Sequence, residues 1–300
     1  MKSIILFFVG LLVKSHVLTP IRTARLKFFY KLHRWPNFEH PKDVNEKINW
    51  MKFYGDTSLW PTLADKYAVR EYVKERVGEE YLIPLIGKWD SVDDIDWEKL
   101  PNQFVMKCNN GSGDVVVCKD KLQLDIKKTR KHFNQVLHIP YGLLTGESHY
   151  ALIKPCIIAE TLLDSNNQPN DSLSLVDYKI WCTNGKPCYI VCYSNRHNKY
   201  YSEIGIYDKE WKSHPEYLKY SSHYIREHQP IPRPQNLEVM LHIASKLSKD
   251  IPLVRVDLYE VNAHVYFGEM TLSSSGGYMN HFTQEFLNKM GELTVLPIDS

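Results

Sequence analysis

The chain has 300 residues, 43% hydrophobic and 24% charged, an ordinary globular composition for one large domain or two closely packed ones. Thirty-seven basic and 35 acidic residues leave a net charge of +2, without the basic excess expected of a nucleic-acid binder. Six cysteines without a CxxC pair and 13 scattered histidines without an HExxH motif argue against a zinc site and for reduced, buried thiols in the cytoplasm.

Residues 1–35 read as helical and amphipathic, ending at Trp35-Pro36. Ile4 to Val13 is an apolar run behind Lys2, like the core of a signal peptide. However, no small-x-small cleavage site follows, and Lys14-Ser-His interrupts the run. It is also shorter than the roughly 20 residues a bilayer span needs. Arg22, Arg25, Lys27, Lys31, His33 and Arg34 follow, with apolar residues between them. Two readings stay open for residues 1–34: a packed N-terminal helix, or peripheral contact with an anionic membrane face. Both leave the chain in the cytoplasm, the second at the inner membrane face.

Asp43-Val-Asn-Glu46 opens a second helix, with Asp43 as its cap and an acid three residues on. Pro61 to Val77 reads as a third, closed by Gly78. Beyond residue 80 the pattern turns to strands. Tyr81 to Ile86 and Phe104 to Lys107 are strand-like, Cys108 to Asp114 forms a turn, and Val115 to Cys118 returns. Ile126 to Val136 reads as a helix and Ala151 to Glu160 as a strand. Asp177 to Cys182 and Pro187 to Cys192 pair around Asn184-Gly185, a strong hairpin signal. Leu237 to Ser248 is an amphipathic helix; Leu253 to Tyr259 and His264 to Met270 are two further strands.

Two constellations carry chemistry. Lys107 ends an apolar strand before Asn109-Asn-Gly-Ser-Gly113, and such a turn aims backbone N–H groups at phosphate oxygens beside a cationic side chain. GxxxxGK[ST] and GxGxxG are absent, so a plain hairpin turn stays open for this segment alone. Arg255-Val-Asp257 and Glu269-Met-Thr271 lie on adjacent strands, and a period of two puts each pair on one face. Paired carboxylates with room for phosphate oxygens suit Mg²⁺; a structural cross-strand ion pair is the alternative. Glu160 ends a Val/Ile-rich strand before Leu162 and Leu163, and Asp65-Lys66 stands early in a predicted helix.

The order of these pieces resembles that of ATP-grasp enzymes, and in particular the teichuronopeptide-biosynthesis-type (TupA-like) ATP-grasp family. The resemblance rests on Asn45-Glu-Lys-Ile-Asn-Trp50, Ala64-Asp-Lys-Tyr-Ala-Val-Arg70, Leu100 to Gly113, and Val254-Arg-Val-Asp-Leu-Tyr259 with Phe267-Gly-Glu-Met-Thr271. It covers roughly residues 40–295. The resemblance implies an α+β fold of two subdomains whose antiparallel sheets enclose ATP. A helical segment over 1–60 would precede an ATP-grasp domain over 61–300, with a small nucleotide lid at about 100–160.

By position, the resemblance implies that Lys66 and Lys107 hold the phosphates under a flap of Gly111, Ser112 and Gly113. Glu160 would stand at the adenine hinge and Asp177 at the ribose, with Lys179 at a basic position. Asp257 and Glu269 would bind Mg²⁺, and Arg255, with Lys107, would stabilise the transferring phosphoryl group. Thr271 stands where many ATP-grasp ligases carry Asn, and its hydroxyl is the third candidate metal ligand. The implied activity is an ATP- and Mg²⁺-dependent carboxylate–amine ligase working through an acyl phosphate. Its setting would be cell-surface polysaccharide synthesis, joining an amino acid or amino sugar to a sugar acid. A glycosyltransferase of the same pathway is the alternative, with Asp94-Ile-Asp96 as its DxD motif; a non-catalytic nucleotide-binding protein is a third.

Overall fold

In a computed structural model of the chain, residues 19–297 are described, apart from 112, 143–145, 169–170 and 198–200. The apolar run at 4–13 and Ser112 of the expected flap therefore lie outside the described residues. Helix α1, Pro20–Leu32, starts at Thr19, whose hydroxyl accepts from the Arg22 amide, and stops at His33 in the left-handed region (φ 56). Helix α2, Val44–Tyr54, is capped as expected: the Asp43 carboxylate accepts from the Glu46 amide at 3.0 Å. Glu46 does not close a capping box. Its carboxylate turns outward to the amides of Asn37 and Lys42 and to Arg34.

The single helix expected over 61–77 is two helices, α3 (Trp60–Ala64) and α4 (Val69–Val77). The break lies at Asp65, which is extended (φ −76, ψ 112). Its carboxylate accepts from the Tyr67 and Ala68 amides at 2.8 and 3.2 Å, so a new helix begins there. The freed Lys66 amide donates to the Asn109 carbonyl at 3.1 Å, tying this corner to the turn after Lys107. Gly78, at φ 114, ends α4.

Strand β1 is Leu85–Trp89, not 81–86, because Glu79–Tyr81 curls into a 3₁₀ turn ahead of Pro84. Strands β2 (Phe104–Cys108) and β3 (Val115–Cys118) pair as expected, and helix α5 is Ile126–Val136. Strand β4, Ile157–Glu160, is shorter than predicted, since Ser148–Leu152 forms a 3₁₀ turn. These four strands make one antiparallel sheet in the order β1-β4-β2-β3. Phe104, Met106 and Cys118 face a small core with Phe133 of α5, while Val105, Lys107, Val115 and Val117 point the other way.

The second sheet contains β5 (Asp177–Thr183), β6 (Lys186–His197), β7 (Tyr201–Asp208), β8 (Tyr224–Arg226), β9 (Leu253–Val261) and β10 (His264–Thr271). Its order is β10-β9-β5-β6-β7-β8, antiparallel except for β7–β8. Asn184 and Gly185 both take positive φ (48 and 78) in the β5–β6 turn, which is why that dipeptide announced a hairpin. Strands β7 and β8 and the last helix, α7 (Gln284–Leu293), have no counterpart in the sequence reading. Helix α6, Leu237–Leu247, lies against one face of this sheet, and Ile180, Cys182, Val254, Val256 and Leu258 share its core with Ile243 and Leu247. Residues of α2, α4 and α7 join that same core.

The chain is thus α+β. All six cysteines are free, and five are buried. No helix of the described residues is long and apolar enough to cross a membrane.

Gly291 of α7 lies against the start of α2, where an added Cβ would meet the Lys42 carbonyl oxygen and sit 2.7 Å from Asp43 Cα. Backbone cannot yield there as a side-chain tip can, so Gly291→Ala is expected to destabilise the fold by about 1–3 kcal/mol. Urea unfolding checks this; an unchanged midpoint would show that α7 is free to move off α2.

Candidate active site

The face of the large sheet away from α6 carries two cross-strand rows. Lys179, Asp257 and Glu269 stand side by side on β5, β9 and β10, and Trp181, Arg255 and Thr271 form the next row. A bulge makes this possible. Pairing of β9 with β10 runs regularly to Phe267–Leu258, then skips Gly268 so that Glu269 faces Asp257. Without that extra residue Glu269 would oppose Val256, which belongs to the core face. Gly268 suits the position, since a Cβ there would come within 3.1 Å of the Asp257 carbonyl and 2.9 Å of the Tyr259 ring.

The charges on this face compensate one another. Arg255 Nε and Nη2 donate to the two Asp257 carboxylate oxygens at 2.6 and 2.7 Å, a bidentate pair. The same Nη2 reaches Glu269 Oε1 and Thr271 Oγ1, each at 3.0 Å, and Thr271 donates to Glu269 at 3.2 Å. The Lys179 ammonium donates to Asp257 and lies 2.7 Å from Asp177, which also holds Arg196 at 2.6 Å. Asp177 Oδ1 is buried without a partner among the described residues.

Burial works to raise the Asp177 carboxyl, but Lys179 and Arg196 outweigh it and hold it below its ordinary range. Removal from bulk water likewise opposes ionisation of Glu269, yet Lys66, Lys179 and Arg255 prevail and bring it to about 2. For Lys66, desolvation is the largest influence and lowers its pKa; Glu269 opposes this and Lys107 adds to it. Its ammonium donates to the Gly111 carbonyl, so the helix break at Asp65 delivers Lys66 to the turn after β2.

On the small sheet, Lys107 lies 2.6 Å from Glu160 Oε2, and Arg70 of α4 lies 3.0 Å from Glu160 Oε1. Glu160 is thus buried between two cations.

Two cavities adjoin these groups. One, of about 670 Å³, is bounded by Val105, Lys107 and Val117 of the small sheet and by Glu160 and the chain to Asn166. Val117 is 50% exposed there, an apolar strand face open to a ligand. The other, of about 470 Å³, is lined by Lys66, Gly113, Asp177, Lys179, Arg255, Asp257 and Glu269, with Trp181, Tyr193, Tyr224, His281 and Phe282 as its aromatic wall. Arg196 and Tyr259 border both. The expected residues therefore divide between the cavities: Lys107 and Glu160 face the first, while Asp177 sits with the paired carboxylates in the second.

Sequence reasoning missed several residues here. Asp164 borders the first cavity, four residues beyond Glu160, and was visible only as part of a polar loop. Arg196 and Tyr259 sit at the seam between the cavities. Glu147, on the chain joining α5 to β4, is buried and accepts from the Ser273 hydroxyl. Beside it lies Lys52, whose pKa burial lowers to about 8 against the pull of Glu147. No local pattern marks Glu147, because its partner Ser273 is over a hundred residues away. Asp93, Asp94 and Asp96 border neither cavity; Asp93 pairs with Arg130 and Asp96 with Lys99.

The oxygen-rich set of Asp257, Glu269 and Thr271 fits a hard divalent cation. Among the described residues no group of three or more His, Cys, Asp or Glu could hold a metal ion unaided. Mg²⁺ bound chiefly through nucleotide phosphates and water needs only one or two carboxylates.

The family model described as TupA-like ATPgrasp matches residues 46–295. No curated protein matches the chain. Among solved structures, D-alanine–D-alanine ligase from Bacillus anthracis complexed with ATP is similar over 78% of this chain and 63% of its own, at 14% identity and a TM-score of 0.42. The Helicobacter pylori D-alanine–D-alanine ligase aligns over 86% and 68%, at 16% identity and TM-score 0.44. N5-carboxyaminoimidazole synthase from Aspergillus clavatus, in complex with ADP, aligns over 88% and 60%, at 10% identity and TM-score 0.42. The chain thus spans less than two thirds of the length of the first and third of these.

Two histidines near the site, His149 buried and His281 half-buried, are predicted to stay neutral. Burial, and then Arg255, lowers His281 from 6.5 to about 4; burial, and then Lys52, does the same for His149. The unfolded chain takes up these protons first, so the stability they contribute is complete above pH 6.5 and is lost as pH falls toward 4. Imidazole NMR titration should find both rings neutral at pH 5.5. Titration of His281 near 6.5 would mean that its ring is better hydrated than its surroundings imply and that Arg255 lies further off.

Proposed function

Because the chain belongs to the TupA-like ATP-grasp family, we propose that it is an ATP- and Mg²⁺-dependent carboxylate–amine ligase. The observation that carries this reading is the meeting of two cavities along Arg196 and Tyr259, with four cations and the Asp257–Glu269 pair beside the seam. A plain nucleotide-binding protein needs only the first cavity; a ligase needs a second for its other substrates.

In this reading the adenine lies on the apolar face of β2 and β3, against Val105 and Val117, and the backbone after Glu160 offers polar groups to its edge. Asp164 is better situated than Asp177 to accept from the ribose hydroxyls, because it borders that cavity and Asp177 does not. Lys107 and Lys66 bind phosphate oxygens. Asp257, Glu269 and the Thr271 hydroxyl would hold Mg²⁺, which supplies charge neutralisation on the phosphates.

The substrate carboxylate oxygen attacks the γ-phosphorus, and ADP leaves with the bridging oxygen, giving an acyl phosphate. The amine nitrogen then attacks the acyl carbon; phosphate leaves, and the nitrogen loses a proton. Arg255 and Lys66 meet the charge that builds on the phosphoryl oxygens. Both already point into the cavity, so little reorganisation is needed. Trp181, Tyr193, Tyr224 and Phe282 offer flat apolar surfaces beside these charges. That combination suits a sugar acid, with an amino acid or amino sugar as the amine, in cell-surface polysaccharide synthesis.

ADP release in the presence of sugar acids and amino acids tests the reaction. Glu269→Gln keeps the shape but removes the charge, and turnover is expected to fall by at least about a hundredfold with the melting temperature retained. Unchanged ADP production by that variant would sink the metal assignment. Lys107→Ala is expected to weaken ATP binding by about ten- to a hundredfold, the range for losing a hydrogen bond to a charged group. Calorimetry reads this directly, and an unaltered affinity would remove Lys107 from the nucleotide site.

A further inference from the structure

Helix α1 is apolar on two faces. Ala24 and Phe28 are buried against Phe38 and Tyr278. On the other side Leu26, Phe29 and Tyr30 are 47%, 43% and 63% exposed, and Trp35, 60% exposed, stacks on Phe29 with ring centroids 4.7 Å apart. A helix of a soluble domain ordinarily turns polar residues to water. At 100° per residue, Arg22, Leu26, Phe29 and His33 form one outward stripe, with Tyr30 beside it.

The charge around that stripe is mostly positive, although Arg34 is paired with Asp43 and Glu46. Between residues 19 and 40 the chain carries five Lys or Arg residues and a single acid, Glu39, which pairs with Arg25 at 2.8 Å. Arg22 and Lys31 are exposed. In sequence, the apolar stretch from Ile4 to Val13 comes shortly before this helix. Aromatic rings with polar tips, set among basic side chains, are the composition that partitions to a lipid–water boundary: rings enter the headgroup layer and ammonium or guanidinium groups meet lipid phosphates.

We propose that the outward face of α1, centred on Leu26, Phe29, Tyr30 and Trp35, is a docking surface for an anionic lipid bilayer. The positive surround favours anionic lipid over a second copy of the chain, whose same face would bring like charges together. Docking there has a consequence for the site. The inner face of α1 holds Tyr278, with the Lys27 ammonium 4.7 Å from its ring centroid, and Tyr278 closes the Ser273–Gly277 loop beside the acceptor cavity. The membrane face and that loop are therefore separated by one helix, about 10 Å. On the ligase reading, this places the acceptor cavity near the surface and suits a substrate carried on a lipid; the docking itself does not depend on that reading.

Vesicle flotation of the full chain tests the proposal, using phosphatidylcholine alone or mixed with phosphatidylglycerol. The chain should float with the mixed vesicles at low salt and stay down with phosphatidylcholine alone. Leu26→Gln with Phe29→Gln should lower partitioning at least about tenfold, since both side chains lose apolar burial. Arg22→Gln with Lys31→Gln should lower it about fivefold per residue, and high salt should mimic this change. The proposal is overturned if the full chain remains at the bottom. It is equally overturned if both paired variants float like the parent, because the segment before α1 then carries attachment alone. A dimer in sedimentation that Leu26→Gln with Phe29→Gln dissolves would assign the face to a second copy instead. ATP calorimetry on the same proteins keeps the two readings apart: docking lost with ATP affinity intact counts against the membrane face only, and absent ATP binding counts against the ligase only.

Discussion

A carboxylate taken out of water has to be met by positive charge, and that requirement organises the face of the large sheet. Asp257 is almost fully buried, and both of its oxygens are occupied, by the Arg255 guanidinium and the Lys179 ammonium. Asp177 draws on Lys179 and Arg196 in the same way. No charge on this face is isolated, so the network is electrically satisfied before any ligand arrives. Such a network is held ready at low cost: donors that serve carboxylates can turn to phosphate oxygens without first being stripped of water. Arg255, which spans Asp257, Glu269 and Thr271, is its hub. Exchange to Lys at this position would keep the charge but lose the fork that reaches three acceptors.

The network depends in turn on strand register. Three antiparallel strands bring Lys179, Asp257 and Glu269 abreast only because β10 carries one extra residue at Gly268. From the Asn262-Ala263 turn outward, regular pairing would have carried Glu269 to the core side, where its charge has no partner. The Arg-x-Asp and Glu-x-Thr spacings were legible as two-residue periods. That the two periods face the same cavity was not, because nothing in Phe267-Gly-Glu269 distinguishes a bulge from a regular glycine.

This division recurs through the chain. Signals carried by neighbouring residues were readable: the Asp43 cap, the Asn184-Gly185 hairpin, the β2–β3 return and the limits of α5. Each is settled by a hydrogen bond or a dihedral preference within a few residues. What failed to show depends on distant partners. The helix break at Asp65 is written locally as an aspartate that can cap, but an uninterrupted helix satisfies the same residues. The bond from Lys66 to Asn109 decides between them. Strand β7 is buried at nearly every position, so it lacks the alternation that marks a half-buried strand. Glu147 and Asp164 looked like loop acids because their surroundings come from other parts of the fold. The separation of Asp177 from the nucleotide-sized cavity was equally hidden: adjacency in sequence to a strand end says nothing about which side of a seam it borders.

On the ligase reading, the seam explains why two sheets are used instead of one. The small sheet presents an apolar strand face and a lysine–glutamate pair, which suit a flat base and a single phosphate contact. The large sheet presents charge in rows, which suits phosphoryl oxygens and an acidic substrate. Each surface would be a poor host for the other's ligand, since charged rows desolvate an adenine edge badly and an apolar face offers a phosphate nothing. Setting them on different sheets lets each follow its own register, regular between β2 and β3 and bulged at Gly268 between β9 and β10. The two surfaces meet along Arg196 and Tyr259, with Lys66 on the side of the second cavity. The chain between α5 and β4 adds a fixed point on the far side, where Glu147 accepts from Ser273 at the edge of the Ser273–Gly277 loop. Lys66 is held from both directions, by its own amide on the Asn109 carbonyl and by its ammonium on that of Gly111. On the ligase reading, a phosphate arriving there would compete with a neutral carbonyl and not with a carboxylate, so Lys66 could turn to it without leaving an ion pair among the described residues.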